Sequence, residues 1–405
     1  MTKALLTLFG GRSFLPTALL VIHEKPNIVV AISSKQSHDD LPQLKQAIDK
    51  FQNELEFTCH LETPEGVDAF DVNKIQQLCE NAISQHLDAE WIFDITGGTS
   101  LMSIAAYEAA RKSKETINTS INCWYLNTAQ TRVISLVGKM QNKRIFQISV
   151  DGYAAAYKHT LQAGTFEGLQ NSKRKDWFQF AQRLGKNPSD ISLLKTVMNK
   201  IIDRPGINNP RFYTIPDVSD ETFALLEEAQ LVGLLSLLSK EASDSLSFRL
   251  THLQDKFLNG AWLEAYVWDE ACKLYDETGQ QLLFDDCKWN QSLDGDTNNE
   301  LDVAMTYKAQ LIIAECKTGE RGTFAPDTLY KWDSVANSFG GKFVGKLLIT
   351  SLQTPPETER GQFQSFKDFL ARAHSKSIVV VTAEKLPVIG EILKREAINP
   401  TYPRI

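Results

Sequence analysis

Residues 91–100 read Trp91-Ile92-Phe93-Asp94-Ile95-Thr96-Gly97-Gly98-Thr99-Ser100. A short apolar run of strand length ends there in two glycines and two hydroxyls, and a helix over 101–112 follows at once. Glycines let the backbone bend and let a ligand come close to the main chain. Unpaired N–H groups at the start of a helix, together with its dipole, favour an anion. Thr99 and Ser100 add hydroxyl donors or serve as the cap of the helix. Two other strand ends echo this one: Phe9-Gly10-Gly11-Arg12-Ser13-Phe14 after the first apolar run, and Ser33-Ser34 after the second. In a parallel α/β sheet all three loops fall at the C-terminal edge of the strands, where ligands bind. The plainer reading is that these residues only make turns and caps. Neither GxxxxGK[ST] nor GxGxxG is present, which excludes a P-loop and a dinucleotide fingerprint.

Outward from this loop, residues 1–150 alternate between strand-like runs (4–9, 27–32, 55–60, 91–95, 121–126) and amphipathic stretches (40–52, 72–87). Repeated strand–helix–strand predicts a parallel sheet covered on both faces. Residues 131–137 and 144–150 read as a late antiparallel pair. Residues 151–251 carry helix signals near 176, over 191–202 and over 219–231, then a strand at 245–250, compatible with a winged helix or any small helical connector. From 252 the pattern resumes: a helix over 255–275, strands at 281–284, 301–305 and 311–316, a helix over 326–338, a strand at 346–352, a helix over 360–373 and a strand at 378–382. The fold class is therefore α/β in three parts: an α/β domain over 1–150, a helical connector over 151–251 and a second α/β domain over 252–405.

The chain of 405 residues has 43 Lys and Arg against 50 Asp and Glu, a net charge of −7. That balance is awkward for a general nucleic-acid coat. No apolar stretch is long enough to span a membrane. The six cysteines never fall at CxxC spacing and the seven histidines are scattered. The cysteines read as reduced cytoplasmic thiols, not a disulfide frame or a zinc site.

The second constellation lies in Asn299-Glu300-Leu301-Asp302-Val303-Ala304-Met305 and Leu311-Ile312-Ile313-Ala314-Glu315-Cys316-Lys317-Thr318-Gly319. Thirteen residues separate Asp302 from Glu315, the reach of a hairpin. Strand alternation puts Glu315 and Lys317 on one face and Cys316 on the other. Charges at the end of a buried strand are costly unless they pair or bind metal. Two carboxylates suit Mg²⁺ or Mn²⁺, and a nearby ammonium suits an attacking water or a developing phosphorane charge. Glu264, in an aromatic-rich helix upstream, is the third carboxylate; alone it reads more readily as a solvated helix charge. Glu300 is a fourth ligand, an assistant to Asp302 or a solvated group. Charge is split along the chain: nine acids against four bases over 281–330, then eleven bases against seven acids from 331 onward. An acidic cluster beside a basic shoulder suits phosphodiester cleavage. Lys331, Lys342 and Lys346 are candidates for that shoulder, or simply solubility charges.

Asp302…Glu315-Cys316-Lys317, with Glu264 upstream, resembles the PD-(D/E)xK nuclease motif, with Leu301 in place of the motif's proline. Asp94-Ile95-Thr96-Gly97-Gly98-Thr99-Ser100 resembles the signature loop of CARF domains, Rossmann-like sensors of cyclic oligoadenylates. In this order and length, the chain resembles the CRISPR ancillary nucleases with one CARF and one PD-(D/E)xK domain. The resemblance implies a homodimer whose paired CARF domains bind cyclic tetra-adenylate and license metal-dependent cleavage of DNA, in some members RNA, in type III CRISPR defence. It implies Asp302 and Glu315 as metal ligands with the Cys316 backbone carbonyl, Lys317 as the group that orients water or stabilises charge, and Glu264 completing the acidic site. It also implies that Gly11, Arg12, Ser13, Phe14, Ser33, Ser34, Thr96, Gly97, Gly98, Thr99 and Ser100 line the ligand pocket. Two readings compete: a ligand-responsive helix-turn-helix regulator with a degenerate nuclease fold, and an ungated restriction- or repair-type nuclease.

Overall fold

The computed structural model describes residues 2–10, 13–117, 120–127, 132–138, 147–169, 171–201, 203–240, 245–293, 299–319, 324 and 326–402. The first part runs β1 (Lys3–Phe9), α1 (Leu15–Glu24), β2 (Ile28–Ser33), α2 (Leu41–Leu55), β3 (His60–Glu62), α3 (Val72–Gln85), β4 (Glu90–Asp94), α4 (Ser100–Thr116), β5 (Ile121–Asn127) and β6 (Arg132–Val137). Its sheet has the order β3-β2-β1-β4-β5-β6, parallel except for β6. The order reverses between β1 and β4, and ligands of open α/β sheets bind at such a switch point. Two apolar layers cover the sheet. One holds Leu6, Phe93 and Ala106 with α3 and α4; the other holds Leu5, Leu19 and Phe51 with α1 and α2.

A run through α5 (Val150–Ala156) and β7 (Leu161–Ala163) leaves this part. Next come α6 (Asn171–Lys186), α7 (Pro188–Lys200), β8 (Arg211–Ile215), α8 (Asp220–Leu231), β9 (Ser236–Lys240) and β10 (Leu246–Leu250). The three strands form an antiparallel sheet in the order β8-β10-β9. Ser219 caps α8 by accepting a hydrogen bond from the Thr222 N–H at 3.3 Å.

The last part runs α9 (His252–Lys256), α10 (Trp262–Cys272), β11 (Asp286–Leu293), β12 (Glu300–Tyr307), β13 (Gln310–Lys317), α11 (Pro326–Ser338), β14 (Gly345–Thr350), α12 (Arg360–Ser375), β15 (Ile378–Val381) and α13 (Ile389–Ile398). Its mixed sheet has the order β15-β14-β13-β12-β11-β7. The three-residue β7 therefore carries the first part's trailing segment into this sheet, against β11.

Four expectations are corrected. The run at 55–60 is no strand: α2 continues to Leu55, Glu56 ends it with φ 51°, and β3 starts only at His60. The run at 281–284 contributes an isolated Tyr275–Leu282 bridge, and the strand begins at Asp286. The helix expected over 255–275 is two helices joined by a π-helical turn, Phe257–Ala261. Of the strand expected over 144–150, residues 144–146 lie outside the described residues, and Val150 opens a helix.

Candidate functional site

Antiparallel pairing of β12 and β13 sets Val303 opposite Ala314. One step along, Asp302 comes beside Glu315 at the end of the hairpin ladder. Asp302 is 7% exposed, and its Oδ2 accepts a hydrogen bond from the Cys316 N–H at 2.7 Å. Burial, followed by the charge of Glu315, pushes the Asp302 carboxyl up to about 7. Glu315 is ion-paired with Lys317. Burial alone would lower the Lys317 ammonium, but Glu315 and Asp302 outweigh it and hold the proton more firmly than usual.

Glu264 projects from the first turn of α10, and its Oε2 accepts a hydrogen bond from Trp289 Nε1 at 3.1 Å. Burial and then the charge of Asp302 hold its carboxyl well above the usual carboxylate range. Asp302, Glu315 and Lys317 line a cavity of about 170 Å³ together with Glu300, Thr328 and Lys331. Cys316 turns its thiol into the core on the other side, as strand alternation requires.

Lys331 alone of the proposed basic shoulder reaches this cavity. Lys342 and Lys346 line a separate cleft of about 510 Å³ with Asp333 and Lys376. There Lys346 Nζ is 2.8 Å from Asp333 Oδ1, and Lys376 Nζ is 3.0 Å from Asp333 Oδ2. Burial would raise the Asp333 carboxyl, but hydrogen bonds from the two lysines outweigh it and hold it low.

At the other sheet edge, the ends of β1, β2 and β4 converge. Ser37 Oγ donates to the Phe9 carbonyl at 2.8 Å and accepts from the Ser34 N–H at 3.1 Å, which ties the second loop to the first. Gly10 packs against Gly98, and a Cβ at Gly97 would collide with the Leu8 carbonyl oxygen. Gly98 has φ +74°, the left-handed region that favours glycine. Thr99 caps α4 by accepting from the Met102 N–H at 3.3 Å, and its own hydroxyl donates to the Ala69 carbonyl. Thr96 Oγ1 accepts from the Leu126 N–H at 2.8 Å. Gly98, Thr99 and Ser100 are exposed; Ser13, Ser34, Thr96 and Gly97 are half-buried. Phe14 and Ser33 point inward: Phe14 packs against Phe9, and Ser33 Oγ bonds with His38 Nδ1 at 2.9 Å. Gly11 and Arg12 lie outside the described residues.

Sequence reasoning missed the braces beneath both sites. Asp94 is fully buried, accepting from the Thr96 N–H at 3.0 Å and from Thr7 Oγ1 at 3.2 Å. Burial raises its carboxyl. Trp289, on β11, is 25 residues from Glu264 and meets it only because α10 packs on that strand. No local pattern marks that contact.

Residues 19–153 match the family model of the Card1 CARF domain, and residues 252–398 match that of the Card1-like endonuclease domain. The chain belongs to the CARF-domain endonucleases. The solved structure of protein VC1899 from Vibrio cholerae superposes on this CARF endonuclease with a TM-score of 0.70 at 17% identity, covering 97% of this chain and 98% of that one. Can2 from Sulfobacillus thermosulfidooxidans, solved in complex with cyclic tetra-adenylate, gives 0.66 at 20% identity, with 97% and 99% covered. A type III CRISPR defence DNA nuclease activated by cyclic oligoadenylate gives 0.50 at 13% identity, over 88% of this chain and 47% of the other. At these identities the likeness is one of fold. No curated protein gives a significant match. Among the described residues of the CARF endonuclease, no helix is long and apolar enough to cross a membrane.

Proposed function

We propose that this CARF endonuclease is a homodimeric, cytoplasmic effector of type III CRISPR defence, switched on by cyclic tetra-adenylate, that cleaves DNA, and RNA as a further substrate, by PD-(D/E)xK chemistry with Mn²⁺ or Mg²⁺. The observation that carries the nuclease reading is the cavity in which Asp302 and Glu315 stand together with Lys317. The charge of Glu315 adds to burial in raising the Asp302 carboxyl, and a divalent cation is the partner that relieves such a site.

The donor set fits a hard cation. Among the described residues no three acidic, histidine or cysteine side chains converge on one point. Mg²⁺ and Mn²⁺ need only one or two carboxylates, with carbonyl oxygen and water completing the shell. Asp302, Glu315 and the Cys316 carbonyl would hold it. When bound, the ion supplies Lewis-acid charge to the scissile phosphate and lowers the pKa of an attacking water. Lys317, firmly protonated, holds that water or the charge that builds on the phosphorus oxygens. Lys331 faces the same cavity and is placed to hold a neighbouring phosphate. Glu264, fixed by Trp289, supports the acidic site from α10.

The sensor half supports gating. The start of α4 presents exposed Gly98, Thr99 and Ser100 beside the ends of β1 and β2. Across a two-fold axis, two such helix starts suit a cyclic ligand with several phosphates. An activator panel tests the whole reading: cyclic oligoadenylates of different ring sizes, with Mn²⁺ or Mg²⁺, against plasmid, single-stranded DNA and single-stranded RNA. Cleavage that appears only with cyclic tetra-adenylate and disappears in Glu315→Ala is the expected result. Cleavage indifferent to every adenylate would make this an ungated nuclease.

A further inference from the structure

Two more cavities adjoin the end of β13, of about 450 and 630 Å³, and they share Ile191, Lys195 and Ser351. The first opens at Thr318 and Gly319, which directly follow Lys317. The second continues past Leu352, Pro355 and Pro356 to Phe324 and Phe366. Together they form a groove that leads away from the catalytic hairpin. One wall is α7 of the connector, and the other is the nuclease sheet with α12.

Its chemistry is unlike the rest of the surface. No described aspartate or glutamate lines either cavity, in a chain with 50 acids and a net charge of −7. Lys195 lines both. Asn199 and Asn259 offer hydrogen bonds in the first cavity, and Gln353 and Gln362 in the second. Phe324 stands edge-on to Phe366, with centroids 5.0 Å apart, beside the two prolines. Each volume suits a ligand the size of one or two nucleotides, and neither admits a double helix. A cation against the backbone, with aromatic and apolar faces for bases, is how unpaired nucleic acid is held without sequence preference.

We propose that this groove holds the unpaired strand flanking the scissile phosphate, with Lys195 of the connector against its backbone. The proposal rests on the nuclease reading of Asp302 and Glu315 and gives the connector a direct part in substrate binding.

The test is anisotropy of a labelled single-stranded oligonucleotide, DNA and RNA in separate arms, on the full chain in EDTA, with and without cyclic tetra-adenylate, over a salt series. For Lys195→Ala the slope of log affinity against log salt should flatten by about 0.7, the loss of one single-strand phosphate contact. Lys195→Glu should weaken binding further, and Ser192→Trp, on the exposed face of α7, should weaken it by blocking the groove. Melting curves confirm that each variant is folded; should Ser192→Trp misfold, the Lys195 slopes decide. Wild-type affinity and slope in both Lys195 variants overturn the proposal, as does binding of duplex alone. Loss of cleavage in Glu315→Ala alongside unchanged Lys195 variants would sink the groove and keep the nuclease reading. Full cleavage by Glu315→Ala would sink that reading instead, whatever the binding result.

Discussion

At the scale of single residues, the candidate active site is a problem of uncompensated charge. The hairpin sets Asp302 beside Glu315, Lys317 pairs with Glu315, and the charge of Asp302 reaches Glu264 on α10. Glu315→Ala and Lys317→Ala are each expected to cut cleavage by roughly 10²-fold or more, the usual loss when a group that meets transition-state charge is removed. Initial rates on plasmid, with circular dichroism to show that the fold survives, check this. Lys317→Arg should not restore the rate, because a planar guanidinium cannot occupy the place of a compact ammonium. At the opposite sheet edge the constraint is steric. Gly97→Ala would drive a methyl into the Leu8 carbonyl. The expected outcome is a melting point lowered by several degrees and a lost response to cyclic tetra-adenylate; a response at wild-type strength would remove this loop from the pocket.

At the scale of elements, the hairpin that carries Asp302 and Glu315 closes in a turn that the sequence did not mark. Lys308 and Ala309 join β12 to β13 with φ of 47° and 59°, a left-handed pair at a turn where Asn-Gly is the usual signal. Asp285 lies close to the backbone N–H groups of both, and to that of Ile148, which offset part of the cost of its burial. That turn sets Val303 against Ala314, and so Asp302 beside Glu315. Burial pushes the Asp285 carboxyl up to about 7. A carboxyl raised on folding binds a proton in the native state at pH values where the unfolded chain has lost it. Its stabilising contribution is complete below the unfolded value near 4 and is lost as pH rises towards the folded value near 7. Between about pH 5 and pH 8 the wild-type melting point should fall more than that of Asp285→Asn. Equal slopes for the two proteins would show that Asp285 does not titrate in this window. Other elements were plainly legible. Apolar runs bounded by glycine, serine or charge gave β1, β2, β4, β5, β12 and β13 to within a residue or two. By contrast β7, three residues long, pairs with a strand about 130 residues away and leaves no local trace.

At the scale of the molecule, the sensor and nuclease share one apolar core. Leu19, Phe51 and Tyr153 belong to the same cluster as Leu301, Ile313, Trp332 and Phe339. The joint is α5. The Phe14 N–H, at the end of the loop after β1, donates to the Ala156 carbonyl at 3.0 Å. At the other end of α5, the Val150 N–H donates to Asp286 Oδ2 on β11 at 2.9 Å, and Lys288 Nζ pairs with Asp151 at 2.9 Å. His159 packs on Phe339 with ring centres 4.7 Å apart. A packed, hydrogen-bonded element with both ends fixed can bias two sites at once. Asp286→Ala removes the acceptor for Val150 and is expected to lower the ratio of ligand-stimulated to basal cleavage several-fold. An unchanged ratio in a folded variant would place the coupling in the connector instead.

The sequence by itself determined the alternation of elements, the glycine-hydroxyl loop at a sheet edge and the Asp…Glu-x-Lys order, because these are properties of neighbouring residues and strand periodicity. Only the tertiary structure decided which charges meet. It brought Lys331 to the cavity of Asp302 and Glu315 but paired Lys346 with Asp333, turned Phe14 and Ser33 inward, and joined Trp289 to Glu264. The net charge of −7 carried the same limit. A sum over the chain cannot show a groove whose described lining holds no carboxylate, because strand register and helix packing, not sequence distance, set where each charge lies.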